Sequence, residues 1–486
     1  MKTYIKNLFL LPALIAGLGL IPAGRVTAQT FTNLHSFTAT SGSNSTNSDG
    51  TVPYAGLILS GNILYGTAEQ GGSSGYGTVF AVNTNGTGFT NLHSFIYGSD
   101  GASPYAGLIL SGNNLYGTAY QGGSSGNGTV FAVNPNGTGF TNLHSFTATS
   151  NYTNSDGANP YAGLILSGNT LYGTAYQGGS SGFGTVFAVH TNGTGFTNLH
   201  SFTAFVSGTN SDGGSPYAGL ILSGNTLYGA AYNGGSSGRG TVFAVNTDGT
   251  GFTNLHSFTA VSGYPYTNSD GADPTAGLIL SGNTLYGTAF YGGSSGNGTV
   301  FAVNTNGTGF TILYSFAATS NSTNSDGANP YAGLILSGNT LHGTAKQGGS
   351  SGNGTVFAVN TNGTGFTNLH SFAGYPSDGA YPQAGLILSG NTLYGTAANG
   401  GSSGYGTVFS LSLGSVSAPQ LTIIPSGANV ILTWPTNAAG FTLQSTTNLV
   451  SPAVWITNSP APVVVNGQNA VTNPISGTQK FYRLSQ

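Results

Sequence analysis

Phe31-Thr32-Asn33-Leu34-His35-Ser36-Phe37 is a spare part. The same heptad, or a close variant, returns at 89–95, 140–146, 196–202, 252–258, 310–316 and 366–372. Each later copy follows a Gly-Thr-Val-Phe run, which begins at Gly77, Gly128, Gly184, Gly240, Gly298 and Gly354. A seventh run, at Gly406, has no heptad after it. A proline stands 24 positions before every run, at Pro53, Pro104, Pro160, Pro216, Pro274, Pro330 and Pro382. Seven units therefore share seven heptads, with one displaced to the front. A linear solenoid has no use for a loose piece at one end, whereas a closed ring does. Residues 31–37 are expected to pair with 407–413 and complete the last unit, which removes the open edges that an arc of sheets would expose.

The third unit shows how one copy folds. Tyr161 to Ser167 is a short apolar run, read as a strand buried on both faces. A tight turn at Gly168-Asn169 leads to a second strand, Thr170 to Ala175. After the Gly-rich stretch Gln177 to Gly184, Thr185 to Val189 is the third strand and Phe196 to Phe202 the fourth. The turn between them reads Asn192-Gly193 here and Asp248-Gly249 in the next unit; both pairs suit positive-φ positions. Four antiparallel strands in 51 to 58 residues is the size of a propeller blade. The spacing inside a unit never changes. Length varies only between the heptad and the next Ser-Asp-Gly or its equivalent, from five positions (Phe95 to Asp100) to twelve (Phe258 to Asp270). That loop and the Gly-rich loop are expected on one rim.

The reading is an all-β chain. Residues 29–412 form a seven-bladed β-propeller closed by an N-terminal outer strand, 413–419 a linker, and 420–486 a small β-sandwich. Both tryptophans lie in that last segment, where Val430 to Trp434 alternates in the manner of a half-buried strand. Leu432-Thr433-Trp434 resembles Ig-like and fibronectin type III modules, although about 70 residues is short for one.

Composition narrows the function. Only 3% of residues are charged, against a typical ~25%. Few lysines and arginines argue against a nucleic-acid partner, whose phosphates need basic contacts. Lys2 and Lys6, the apolar stretch Leu8 to Ile21, and Val26-Thr27-Ala28 read as a secretory signal over 1–28. Its removal leaves a formal charge of −6 and no expected membrane span. The chain has no cysteine, so stability must come from burial and sheet pairing.

The unit Leu-Tyr-Gly-Thr-Ala, Gly-Gly-Ser-Ser-Gly-x-Gly-Thr-Val-Phe, Asn-Leu-His-Ser-Phe, Asp-Gly-Ala-x-Pro resembles the GloVer tandem repeat of exported bacterial proteins, over residues 31–412. The resemblance implies an extracellular or envelope location, sometimes with a C-terminal sorting segment, and no known activity or binding residues. This chain lacks a hydrophobic tail with a basic end, so anchoring by such a tail is not expected.

Four sets of residues could carry chemistry. Gly71-Gly72-Ser73-Ser74-Gly75 and its copies match a nucleophile-elbow pattern, but seven copies without a following helix read as loop composition. His35, His93, His144, His200, His256 and His370, with Tyr314 in the remaining heptad, read as amphipathic side chains between blades, too far apart to share a metal. Asp49, Asp100, Asp156, Asp212, Asp270, Asp326 and Asp378 each precede a glycine, four positions before the proline. Turn formation is the first expectation for them, with weak Ca²⁺ or sugar-hydroxyl binding as the alternative. Tyr120, Tyr176, Tyr232 and Tyr291, beside the Gly-rich loops, either pack at the rim or stack on sugar rings. Glu69, Asp248 and Asp273 fall outside the pattern and are a poor basis for the two carboxyl groups that glycoside hydrolysis needs.

The expected function is a secreted or surface-associated, multivalent binding or adhesion protein, monomeric, with no cofactor. Its expected ligand is a neutral polysaccharide or cell-surface glycan. Near-identical blades favour repeated weak sites that gain by avidity. A structural envelope protein without a ligand, or a polysaccharide-degrading enzyme on a propeller scaffold, are the alternatives.

Overall fold

The computed structural model describes residues 29–414, 420–435, 441–449, 453–457, 460–465, 468–475 and 479–485. Residues 1–28, read above as a secretory signal, and most of the expected linker lie outside the described residues. The chain divides into two compact units, with the repeats forming one at Thr30–Leu413 and residues 414–486 falling in the other. Among the described residues no helix is long and apolar enough to cross a membrane.

The repeat unit is built of seven four-stranded antiparallel sheets. In the third, Ile165–Ser167, Thr170–Ala175, Thr185–His190 and Thr197–Ser201 lie side by side in chain order. The first strand is much shorter than its apolar run suggests. Residues 161–164 leave the ladder because neighbouring units, not a strand partner, satisfy them. Thr174 donates its hydroxyl to the carbonyl of Ala218 in the next unit, and Thr118 does the same to Ala162. Gly163 sits so close to the preceding unit that an added Cβ would lie 3.2 Å from the Gly107 carbonyl oxygen. The corresponding approach is 3.0 Å for Gly107 on Gly56 and 3.3 Å for Gly56 on Gly385, so the series returns from the seventh unit to the first.

The spare heptad joins the last sheet. Thr30–Ser36 pairs antiparallel with Thr407–Ser412, in a sheet completed by Thr392–Ala397 and Ile387–Ser389. Packing follows the same circuit. Each hydrophobic cluster joins two consecutive sheets, and one joins Tyr394 and Val408 of the seventh to Leu64, Phe80 and Val82 of the first. The Phe of each Gly-Thr-Val-Phe is fully buried, each contributing about 1.5–3 kcal/mol. It lies over a cross-strand glycine: Phe187 pairs with Gly173, where a Cβ would stand 2.7 Å from the ring. The invariant Tyr-Gly or His-Gly step in the second strand is thus a seat for that ring.

The C-terminal unit has a four-stranded sheet containing Thr422–Ser426, Asn429–Pro435, Gln468–Pro474 and Val463–Val465, and a three-stranded sheet of Thr442–Thr446, Ile456–Thr457 and Phe481–Ser485. Leu432, Trp434 and Val471 from the first sheet and Leu443 from the second share one buried cluster.

The inserted heptad makes the same contacts as an internal one. Phe31 stacks on His370 at 4.0 Å, as Phe196 stacks on His144 at 3.8 Å. Phe31→Ala should therefore cost as much as Phe196→Ala, about 2 kcal/mol each for a half-buried ring. Chemical denaturation of both variants checks this; a near-silent Phe31→Ala would mean the N-terminal strand is only loosely held.

Candidate functional site

The seven aspartates are all buried, and turn formation is not their main work. In five of the seven units the turn bonds belong to the neighbouring asparagine. Asn154 Oδ1 accepts from the amides of Gly157 and Gly179, and its Nδ2 donates to the carbonyls of Thr147 and Gly157. Asn47, Asn210, Asn268 and Asn324 repeat this arrangement. The aspartate instead reaches back to the preceding sheet. Asp156 Oδ2 lies 3.0 Å from His144 Nε2 and accepts the amide of Thr147, and its Oδ1 accepts the Thr147 hydroxyl. Its own carbonyl takes the hydroxyl of Thr185, in the following sheet. One residue thus fastens two sheets.

Five other His–Asp pairs repeat this at 2.9–3.0 Å, joining His35, His93, His200, His256 and His370 to Asp49, Asp100, Asp212, Asp270 and Asp378. In the remaining unit Tyr314 donates its phenol to Asp326 at 2.7 Å. Burial works against the charge of Asp49, Asp156 and Asp212, but the histidine and threonine bonds outweigh it and hold these carboxyls below their usual range. The histidines also lie between sheets, as their sequence suggests, each stacked on the heptad Phe of the following one. The aspartates are spread around the circuit with their carboxylate oxygens engaged, apart from Asp326 Oδ1. Among the described residues no group of three or more His, Asp or Glu could hold a metal ion.

A different set of side chains converges. The residue after each conserved proline stands next to the Ala-Gly pair that circles the axis. It is Tyr54, Tyr105, Tyr161, Tyr217, Thr275, Tyr331 and Gln383 in turn. Tyr105 stacks on Tyr161 at 4.5 Å, Tyr161 meets Tyr217 edge-on at 4.7 Å, and Tyr54 tilts against Tyr105 at 5.4 Å. Tyr331 donates to the Tyr161 phenol at 3.2 Å, three units away in the sequence of sheets. Three of the tyrosines singled out in the sequence join this collar: Tyr120 packs edge-on to Tyr105 and Tyr161, and Tyr176 and Tyr232 pack against Tyr217. Tyr291 does not belong with them. It lies one position later in its unit, where Phe290 is the true equivalent, and it is exposed. The collar tyrosines themselves were missed because Tyr161 and its counterparts read as the start of a buried strand. Five tyrosines in seven positions after proline was the available signal.

Departures from the repeat gather around the same collar. Tyr105 donates to the Glu69 carboxylate at 2.5 Å, with Gln70 at 3.3 Å. Burial nevertheless raises Glu69 above the usual carboxylate range. Asp273 is pushed up to about 6 by burial, only partly offset by Arg239 at 3.6 Å. Lys346 stands 5.6 Å above the Tyr331 ring, its ammonium lowered by burial. Burial, with the charge of Asp273, pushes Tyr232 up to about 12. Asp248 is the exception, capping an exposed turn through Thr250. Chemically, the collar offers half-buried aromatic faces, phenol hydroxyls and a few partly desolvated charges.

The Gloeobacter/Verrucomicrobia repeat matches residues 25–204, 146–269 and 264–424. No curated protein matches the sequence. Among solved structures the chain is similar to an oligogalacturonate lyase from Vibrio parahaemolyticus, at 10% identity and a TM-score of 0.44 over 80% of this chain and 98% of that one. A puromycin-hydrolyzing peptidase of Mycobacterium tuberculosis gives 12% and 0.45 over 82% and 62%. A nidogen/laminin complex gives 13% and 0.35 over 63% and 92%. At these values none of the three bears on activity.

Asp156→Asn should cost about 2 kcal/mol, since it removes a charged acceptor from His144 and Thr147. His144→Tyr should cost little, because Tyr314 shows that a phenol keeps both the bond and the stack. Ala317→Thr should stabilise by about 1 kcal/mol, as it supplies the hydroxyl that Asp326 Oδ1 lacks. Thermal denaturation of the three variants checks this, and an Asp156→Asn protein as stable as wild type would overturn it.

Acidity should act in two directions. Asp49, Asp156 and Asp212 have depressed folded pKa values, so their contribution is complete above about 4 and is lost as pH falls through that value and below. Asp273 has a raised pKa, so its contribution is gained as pH falls from about 6 toward 4. Asp273→Asn should raise stability at pH 7 and flatten that limb. Asn159 and Asn329 occupy the same position and donate to the carbonyls of Tyr120 and Phe290, each at 3.0 Å. Melting temperature against pH for both proteins is the measurement; an unchanged neutral limb in the variant would refute the assignment.

Proposed function

We propose, for a chain that belongs to the Gloeobacter/Verrucomicrobia repeat family, that the seven sheets are the blades of a propeller closed by the N-terminal strand, and that this propeller is an exported glycan-binding module rather than an enzyme. The C-terminal unit is a small β-sandwich that accompanies it. The observation that carries the binding reading is the collar: eight tyrosines, all half-buried, meet at one end of the sheets. Aromatic faces held by neighbours present apolar area at little entropic cost, and their hydroxyls reach polar groups at the edge. Pyranose rings have the matching chemistry, with an apolar face of C–H groups and a rim of hydroxyls. The scarcity of charge on the chain points to a neutral polymer. The variable loops and Gly-rich loops surround the collar and lengthen the surface along which a polymer lies, so weak contacts add by avidity.

A pull-down on amylose, cellulose and mannan tests this. Retention on one of the three is expected, nearly unchanged between ~0.1 and ~1 M salt, because uncharged contacts are not screened. The triple variant Tyr120→Ala, Tyr176→Ala, Tyr232→Ala should lose retention about tenfold or more. Retention by none of the polymers, or retention abolished by salt, would refute the proposal.

A further inference from the structure

Beside the collar, where the fifth, sixth and seventh units meet, lies a recess of about 150 Å³. That is space for roughly five waters or one sugar ring. Asn297, Asn329, Gln347, Thr319, Ser322 and Tyr381 supply its polar lining, and no carboxylate, ammonium, guanidinium or imidazole faces it. We infer that this recess is a subsite for a single neutral hexose unit of the polymer, an inference that rests on the glycan-binding reading above.

The orientation of the amides carries the argument. Asn297 Nδ2 donates to the Ala317 carbonyl at 2.6 Å, and Asn329 Nδ2 donates to the Phe290 carbonyl at 3.0 Å. Each amide is therefore fixed by one of its two N–H donors, held on the backbone. Each amide keeps a carbonyl oxygen and a second N–H, and this mixed lining matches a ligand whose hydroxyls both donate and accept. Gln347 is exposed and able to turn either end toward a hydroxyl. Tyr381, 36% exposed, forms an aromatic wall against which a pyranose face fits.

The aromatic wall of the recess is particular to this junction, although the loops around it are repeated. The third unit carries the same asparagine and glutamine at Asn159 and Gln177, and an almost identical loop. It differs at the wall, where Ser215 stands in place of Tyr381, and at the lip, where Tyr152 replaces Ser322. Ser215 and Tyr381 share the same left-handed backbone, at φ 55 and 54. A serine is therefore compatible with the backbone at 381, and the wall can be removed without disturbing the fold.

The test uses the full mature chain and saturation-transfer NMR with methyl glucoside, methyl galactoside and methyl mannoside, alongside the three-polymer pull-down. Wild type should bind one of the hexosides. Tyr381→Ser and Gln347→Ala should each weaken that signal about tenfold with unchanged melting temperature. The triple collar variant should keep the hexoside signal while losing the polymer. Equal hexoside binding by wild type, Tyr381→Ser and Gln347→Ala overturns the subsite. So does retention of a polymer with no hexoside bound, and in either case the glycan reading stands. Binding of neither hexoside nor polymer overturns both together.

Discussion

One buried carboxylate per unit holds the repeats together. At Asp49, Asp156, Asp212 and Asp270 the side chain ties down the outer strand of one sheet through histidine, amide and hydroxyl, while the carbonyl receives a threonine from the next; the other three keep the histidine or tyrosine and an amide. The histidine it fixes lies flat on the phenylalanine of that next sheet. Backbone ladders hold strands within a sheet, whereas between units the backbone gives isolated bonds such as Asn159 N–H to the Asn127 carbonyl. Side chains add to these, and in a chain with almost no charge the aspartate supplies the strongest bonds among them. The loops on either side are free to vary because the fastening points at their ends do not.

The architecture was legible because repetition multiplies weak signals. A single short apolar run is ambiguous between strand and buried helix, but seven in fixed register with Gly-Thr-Val-Phe are not. The displaced heptad at Phe31 pointed to its pairing with residues near 407 for the same reason. The aspartate–histidine pair was not legible. The two residues lie 7 to 14 positions apart, depending on the loop, and a variable separation hides a constant contact. The paired change of His to Tyr314 and of Thr to Ala317 was the trace left in the sequence, and it has meaning only once both are seen to touch Asp326. The collar was hidden differently. Tyr161 looks apolar in a one-dimensional pattern, and only the closing of the circuit brings it to Tyr331, 170 residues away.

Departures from the repeat are informative because the background is so uniform. Glu69, Arg239, Asp273 and Lys346 each occupy a position where most units have an uncharged residue, and all four sit around the collar. Two of them carry carboxyls pushed up by burial, which costs stability at neutral pH. Such groups are a poor choice for holding a fold together. Their gathering at one end marks that end as the place where the units stopped being interchangeable.

The glycines around the axis set a limit on how such a chain can evolve. Near-identical repeats invite unequal recombination, which adds or deletes whole units. Most repeat arrays absorb this, since a solenoid with one more turn is merely longer. Here each axial glycine already lies against the carbonyl of its predecessor, and the series runs once around and meets itself. An extra copy would have to force its neighbours apart, and a missing one would leave a gap that no side chain at a glycine could fill. Copy number is therefore frozen while loop length and loop sequence drift, and diversity in this lineage has to be written at the rim.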